Sequence, residues 1–516
     1  MVPSSMTRPV VETTDGKVRG AVENGCYVFK GIRYGDSTAG ANRFMPPQPP
    51  KKWAGIRDAI SWGASAPQLP RPENYDPFYA WYSAIQPISE DCLFLNVFTP
   101  GLNDAKRPVM VWVHGGGWRE LSGTAPGFNG TALARTEDVV VITLNHRLNA
   151  FGHLLLDVSD ERFADSGNAG LLDIVMALTW VRENAAVFGG DSNNVTLFGE
   201  SGGASKIAAI LGMRAAKGLF HKAIMQSSGG GLRLASGGEA AREAATLAKV
   251  LGRAKLSGAE LQNIPMEDLL AATSGGTFRG MIDGRNFESD LYGSEGPSVS
   301  IHVPAMVGCT NTETTYHLRA DPMNFTLRHS DVRKRLIRFL DVEGARIDTI
   351  IDAYRTFYPD YGPSDILIMI TSDYMFKRTA FRLAALQAAA AVAPVYAYIF
   401  GRETPIDGGR MRSPHTSEVP FIFGTTSAAE AHIGRGSDIQ PMTECMMGTW
   451  ASFARHGDPT NPTVPEWTPF KESDRRTMVL NVESELVVDP GGSARAALDE
   501  LPYYGYSHSI GTFVNA

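Results

Sequence analysis

Four runs of apolar residues with almost no polar alternation set the strongest limit on how this chain folds. They are RPVMVWVH (107–114), DVVVITLNHR (138–147), NVTLFG (194–199) and KAIMQSS (222–228). A strand with one wet face alternates apolar and polar residues, so uninterrupted runs predict strands buried on both faces. Between the second and third runs, LLDIVMALTWVRENAAVF (171–188) repeats its apolar residues at helical spacing, and a second helix is expected over 204–211. Strands alternating with helices imply a mostly parallel sheet covered on both faces, an α/β architecture. VPAMVGCTN (303–311) and PVYAYIF (394–400) read as later strands of that sheet.

The start of the chain has a different pattern. GKVRGAV (16–22) and CYVFKGIRYG (26–35) are joined through Glu23-Asn24-Gly25, and Asn-Gly is a strong hairpin signal because both residues tolerate positive φ. A small antiparallel part at the N-terminus is expected. Helical stretches at roughly 239–273 and 323–392 are too long for simple crossovers and read as insertions capping the edge of the sheet. With no internal repeat and no low-complexity linker, the expected organisation is one unit over 1–516. Its cap insertions fall at approximately 60–90, 239–300 and 313–392.

Charge and composition exclude several classes. The net charge of −7 is spread along the chain and does not suit a phosphate-tracking surface, so no nucleic acid partner is expected. No stretch has the length of a membrane span. The N-terminus, MVPSSMTRPVVETTDG, lacks the charged start and apolar run of a secretory leader. A cytoplasmic location is therefore expected, with periplasm or secretion the alternative if a leader has been removed. Cys26, Cys92, Cys309 and Cys445 are far apart and form neither a disulfide framework nor a zinc-ligand pattern.

The chemistry centres on VTLFGESGGASK (195–206). A G-x-S-x-G match is weak by itself, but here an apolar strand ends at Gly199 and a helix of small residues begins just after Ser201. Gly199 and Gly203 have no side chain to clash where such a turn brings strand and helix together. Ser201 is then presented at a helix N-terminus, which favours developing negative charge. The plain alternative is a serine that caps a helix. WVHGGGW (112–118) places three glycines after another buried strand, leaving N–H groups open for an oxyanion, or else forming a flexible turn. A nucleophilic hydroxyl also needs a base and an acid that orients it. His415, in the Pro-flanked loop SPHTSEVPFIFG (413–424), and Glu313, just past a strand end in VGCTNTET (307–314), are candidates, although periodicity alone does not select them.

Several segments together resemble the type-B carboxylesterases of the cholinesterase-like α/β-hydrolases. SEDCLFLNVFTP (89–100), HGGGW, NHRLNAFG (145–152), NAGLLD (168–173), FGGDSNNVTLFGESGGAS (188–205), FHKAIMQSSG (220–229) and FARHGDPTNP (453–462) occur in that family's order. The resemblance covers nearly the whole chain. It implies an α/β-hydrolase fold and a serine esterase with a Ser-His-Glu triad: Ser201 as nucleophile, His415 as base, Glu313 as acid. It also implies an oxyanion hole from Gly116, Gly117 and Gly202, with Ser227 beside the triad acid and Glu200 facing the gorge. Trp118, Arg119 and Tyr82 are further candidate substrate contacts. Arg147 with Asp173, and Arg43 with Glu90, match structural ion pairs. No cofactor or metal is implied, and the partner is a small-molecule ester.

Departures from the pattern carry their own expectations. Ala66 stands where relatives place the disulfide partner of the Cys92 position, so Cys92 is expected as a free thiol. Tyr82 falls near the choline-binding tryptophan of cholinesterases, so acetylcholine is a poor substrate expectation. Arg119 replaces an aromatic or small gorge residue. Either it is neutralised by Glu120 or another acid, or it binds a substrate carboxylate, as in bacterial fumonisin-type carboxylesterases that act on polycarboxylic esters. The alternatives to such a hydrolase are a broad-specificity or p-nitrobenzyl-esterase-like enzyme, an amidase or carbamate hydrolase using the same triad, and a catalytically silent binding module.

Overall fold

The structure, a computed structural model, describes residues 8–70, 76–83, 86–157, 159–229, 233–292 and 296–503. Residues 1–7, and parts of the expected 60–90 and 239–300 insertions, lie outside the described residues. The main sheet is built from β3 (Ala21–Glu23), β4 (Cys26–Arg33), β6 (Phe94–Thr99), β7 (Arg107–Val113), β8 (Val140–Leu144) and β9 (Gly190–Glu200). It continues through β10 (Lys222–Gln226), β11 (Ala305–Thr310), β12 (Val395–Phe400), β13 (Thr477–Leu480) and β14 (Glu485–Val487). Their order across the sheet is β14-β13-β12-β11-β10-β9-β7-β8-β6-β4-β3. From β8 to β13 every neighbouring pair is parallel, and the flanking strands are antiparallel.

The unbroken apolar runs are explained by two separate cores, one on each face. Val109, Val111 and Val113 of β7 pack into one, while Met110 and Trp112 pack into the other. The same split recurs in β12, with Val395, Ala397 and Ile399 on one side and Tyr396, Tyr398 and Phe400 on the other. The first core is closed by the helix Ala169–Asn184, the second by the helix Ile439–His456. Each fully buried Val, Leu or Ile contributes about 1.5–3 kcal/mol, so a polar residue in these runs would be costly on either face.

At the N-terminus the hairpin forms as its turn residues require, with Asn24 at φ 50° and Gly25 at φ 82° joining β3 to β4. The first predicted strand is split at Gly20. A Cβ there would lie 2.6 Å from the Val28 carbonyl oxygen, so glycine is required at the break, and β2 (Gly16–Arg19) before it joins a separate sheet. That sheet is completed by β1 (Val10–Thr13) and β5 (Ile56–Asp58).

The 239–273 stretch becomes the helices Gly237–Val250, Gly258–Leu261 and Met266–Ala272. The first starts at a capping box, in which Glu239 Oε2 accepts from the Ser236 N–H at 2.9 Å. Leu247, Leu261 and Leu269 pack on Phe151, Leu154 and Phe163 in a smaller core. The 323–392 stretch holds His329–Leu340, Gly344–Phe357, Pro363–Ser372 and Arg378–Ala389. The last packs directly on β11 and β12 and so completes their crossover.

Both ion pairs implied by the resemblance are formed and buried. Arg147 Nε and Nη2 donate to Asp173 at 2.8 and 2.6 Å. Arg43 Nε donates to Glu90 at 2.6 Å, while its Nη1 donates to the carbonyls of Leu261 and Ile264 at 2.6 and 2.7 Å. That guanidinium therefore ties Glu90 to the end of the helix Gly258–Leu261 and the turn after it. Cys92 is a fully buried free thiol, and burial pushes its pKa far above the usual thiol value.

Candidate active site

The proposed chemistry gathers at the carboxyl ends of β7, β9, β11 and β12, where open parallel sheets collect their functional loops. After β9 the chain turns sharply into the helix Gly202–Ile210. Ser201, at the turn, has φ 56° and ψ −121°, a conformation that costs a non-glycine residue about 1–3 kcal/mol. The surroundings hold it there: Ser201 N–H donates to the Gln226 carbonyl at 2.8 Å, and Ser205 N–H donates to the Ser201 carbonyl at 3.1 Å. The two flanking glycines are sterically required. A Cβ at Gly203 would lie 2.0 Å from the Val113 carbonyl oxygen, and one at Gly199 would lie 2.6 Å from the same atom. Ser201 is only half-buried, between the buried residues Glu200 and Gly202.

Glu313 and His415 are joined. Past β11, Glu313 is fully buried, and its Oε2 lies 2.5 Å from His415 Nδ1. Its other oxygen accepts from Ser227 Oγ at 2.6 Å and from the Thr310 N–H at 2.7 Å. The carboxylate is thus held on both sides, with Ser227 donating to it directly. On the opposite edge of the ring, His415 Nε2 lies 3.0 Å from Glu200 Oε1. Among the described residues no hydrogen bond joins Ser201 Oγ to His415.

Two buried carboxylates contact one imidazole, and a third, Glu418, acts on its charge. Burial alone would lower the pKa of His415, but Glu200, Glu313 and Glu418 outweigh it and raise it to about 9. Burial lifts the Glu200 carboxyl well above its usual range, with His415 opposing and Glu418 and Glu313 adding to the rise. Glu418, whose Oε1 accepts from Gln226 Nε2 at 3.3 Å, is raised to about 7 by burial and by Glu313.

The glycine loop after β7 reaches the same place. Gly116 and Gly117 have φ 79° and 60°, and the N–H groups of Arg119 and Glu120 both fold back to the Gly116 carbonyl at 3.2 Å. A Cβ on Gly202 would lie 2.1 Å from the Gly117 carbonyl oxygen, so these two backbones are packed against each other. Among the described residues, the N–H groups of Gly116, Gly117 and Gly202 donate to no protein acceptor. Open N–H groups beside a serine on a strained turn are suited to an oxyanion.

The remaining candidates are spread around this centre. Arg119 is exposed and has no ion-pair partner among the described residues. Trp118 is buried, edge-to-face with His153 at 4.9 Å. Tyr82 is buried with its hydroxyl against that of Tyr316, whose ring meets His415 edge-on at 5.5 Å.

Tyr316, Phe376, Glu418 and Lys206 were not singled out from the sequence. Tyr316 and Glu418 each follow a triad candidate by three residues, a spacing that could have pointed to them. Phe376 lies 5.0 Å from the His415 ring on a π-helical turn, Asp373–Lys377, for which spacing carried no signal.

A mostly parallel sheet carrying a strained serine turn, a buried His–Glu pair and a glycine loop defines an α/β-hydrolase. The chain belongs to the carboxylesterase family, whose model matches residues 7–496, and it is a carboxylic-ester hydrolase. It is 34% identical to a para-nitrobenzyl esterase of Bacillus subtilis over 96% of this chain and 99% of that protein. It is 32% identical to a phenmedipham hydrolase of Pseudarthrobacter oxydans, covering 93% and 96%. Among solved structures, a Geobacillus stearothermophilus carboxylesterase matches with TM-score 0.82 and 33% identity, covering 95% of this chain and 100% of that one.

Proposed function

We propose that this protein hydrolyses small-molecule carboxylic esters through an acyl-enzyme on Ser201. His415 takes the Ser201 proton as the hydroxyl attacks the ester carbonyl, and the tetrahedral oxyanion accepts from the N–H groups of Gly116, Gly117 and Gly202. His415 then protonates the departing alcohol and activates the water that frees the acid. Glu313 fixes the ring so that Nδ1 carries its proton toward the carboxylate and Nε2 faces the reaction. The observation carrying this reading is the half-exposed Ser201 on its strained turn, with the Glu313–His415 pair at 2.5 Å and three unoccupied N–H groups beside it. Replacing Ser201 by Ala should cut p-nitrophenyl ester turnover by at least about 10³-fold; retained turnover contradicts the assignment.

For the substrate, the exposed Arg119 favours esters that carry a further carboxylate, such as polycarboxylic acid esters of the fumonisin type. Its planar fork follows directly on the glycine loop, where an acyl group would lie. The likeness to a para-nitrobenzyl esterase favours a second reading, broad activity on neutral esters. Trp118 and Tyr82, both buried, serve these readings as walls of the site rather than as polar contacts.

A further inference from the structure

Lys206 is fully buried in the helix that begins after Ser201, and it has no carboxylate partner among the described residues. A buried ammonium without a counter-ion is costly, so its retention needs an explanation. Its Nζ donates to the Gly117 carbonyl at 2.7 Å and reaches toward the His114 carbonyl at 3.5 Å. Those two carbonyls bracket the glycine loop. The ammonium also lies 5.6 Å from the centre of the Trp118 ring, next to that loop.

We propose that Lys206 is a positioning residue: from behind the loop it pins the Gly117 carbonyl and so keeps the Gly116 and Gly117 N–H groups aimed at the oxyanion. This rests on the ester-hydrolase reading above and extends it. Gly117 has φ 60° and packs backbone-to-backbone on Gly202, so rotation of its carbonyl would shift the geometry of the hole. The two carbonyls it holds, of His114 and Gly117, flank the peptide units that carry the Gly116 and Gly117 N–H groups, so the loop is fixed at both ends. The positive charge behind the loop adds a through-space field that favours the oxyanion.

The titratable groups facing Lys206 are the buried His114, His146 and His153, on the segments after β7 and β8. Burial lowers all three, and Lys206 lowers them further, so they are neutral and leave the ammonium as the local charge. Burial lowers the Lys206 ammonium itself to about 7. Its charge therefore fades as pH rises through neutrality.

The experiment compares wild-type protein with Lys206→Met, which keeps length and apolar volume, and Lys206→Gln as a second folded variant should Met fail to fold. kcat and KM for a p-nitrophenyl ester are measured from pH 6 to 9, with thermal melts of the same samples and Ser201→Ala as the inactive reference. We expect kcat to fall about 10- to 100-fold with KM within about two-fold, as for a weakened oxyanion hole. The wild-type-to-variant kcat ratio should shrink as pH rises through about 7. The melting temperature should stay level or rise, because an uncompensated buried charge has gone. Wild-type activity that Ser201→Ala abolishes, together with variant kcat within two-fold of wild type, overturns the role of Lys206 alone. Unchanged activity in Ser201→Ala overturns Ser201 as the nucleophile, and this proposal with it.

Discussion

His415 is held between two glutamates: Nδ1 lies 2.5 Å from Glu313 and Nε2 lies 3.0 Å from Glu200. A base flanked by carboxylates keeps its proton to higher pH, and this one is raised to about 9. The free imidazole, the form able to accept the Ser201 proton, therefore grows as pH rises toward 9, and kcat/KM should rise with it. The same shift has a stability consequence. The pairing stabilises the fold fully below the unfolded histidine value and is lost as pH climbs through about 9. Glu200→Gln removes one of the carboxylates, so the acid limb of the kcat/KM profile should move to lower pH by about one unit. An unmoved limb would remove Glu200 from the account of that shift.

Glu418 acts with the same sign, but through burial and Glu313. Its folded value, about 7, lies above that of a free glutamate, so the folded protein binds the extra proton more tightly. That contribution is present below about pH 4.5 and is lost as pH rises through 7, above which a charged carboxylate is buried. Glu418→Gln should therefore stabilise the protein at pH 8 by on the order of 1–3 kcal/mol and leave it unchanged near pH 4.5. Denaturant melts at the two pH values check this.

Ser227 donates to Glu313 at 2.6 Å, one of two hydrogen bonds on that oxygen. Ser227→Ala leaves a buried carboxylate short of a donor, a loss of about 1.5–3 kcal/mol in folding stability. kcat should fall by about ten-fold with KM little changed, because the ring Glu313 orients is less well held. A steady-state comparison with a p-nitrophenyl ester decides it.

Much of this site could be read from residue patterns, for identifiable reasons. Gly199 and Gly203 are glycines because Val113 leaves no room for a Cβ, and a steric requirement of that kind is visible in a single chain. The runs at 107–114 and 194–199 are apolar because each strand feeds two cores. The short strands β13 (TMVL) and β14 (ELV) have no such run and were not anticipated. Lys206 reads as an ordinary polar residue on a helix, because its burial depends on the loop from β7 crossing above it. Phe376 reaches His415 only because a π-helical turn shifts its helix out of the regular period.

Arg119 offers a charge next to the glycine loop without an ion-pair partner among the described residues. Arg119→Ala should lower kcat/KM for an ester with a second carboxylate by about ten-fold while leaving a neutral p-nitrophenyl ester within about two-fold. Equal losses on both would assign Arg119 no part in choosing the substrate.

The most direct test of the central claim is reaction of the folded protein with a fluorophosphonate, read by intact mass and peptide mapping. A single adduct on Ser201, absent from Ser201→Ala, is the expected result. Folded protein that stays unmodified, or carries its adduct on another residue, would contradict the assignment of Ser201 as the nucleophile.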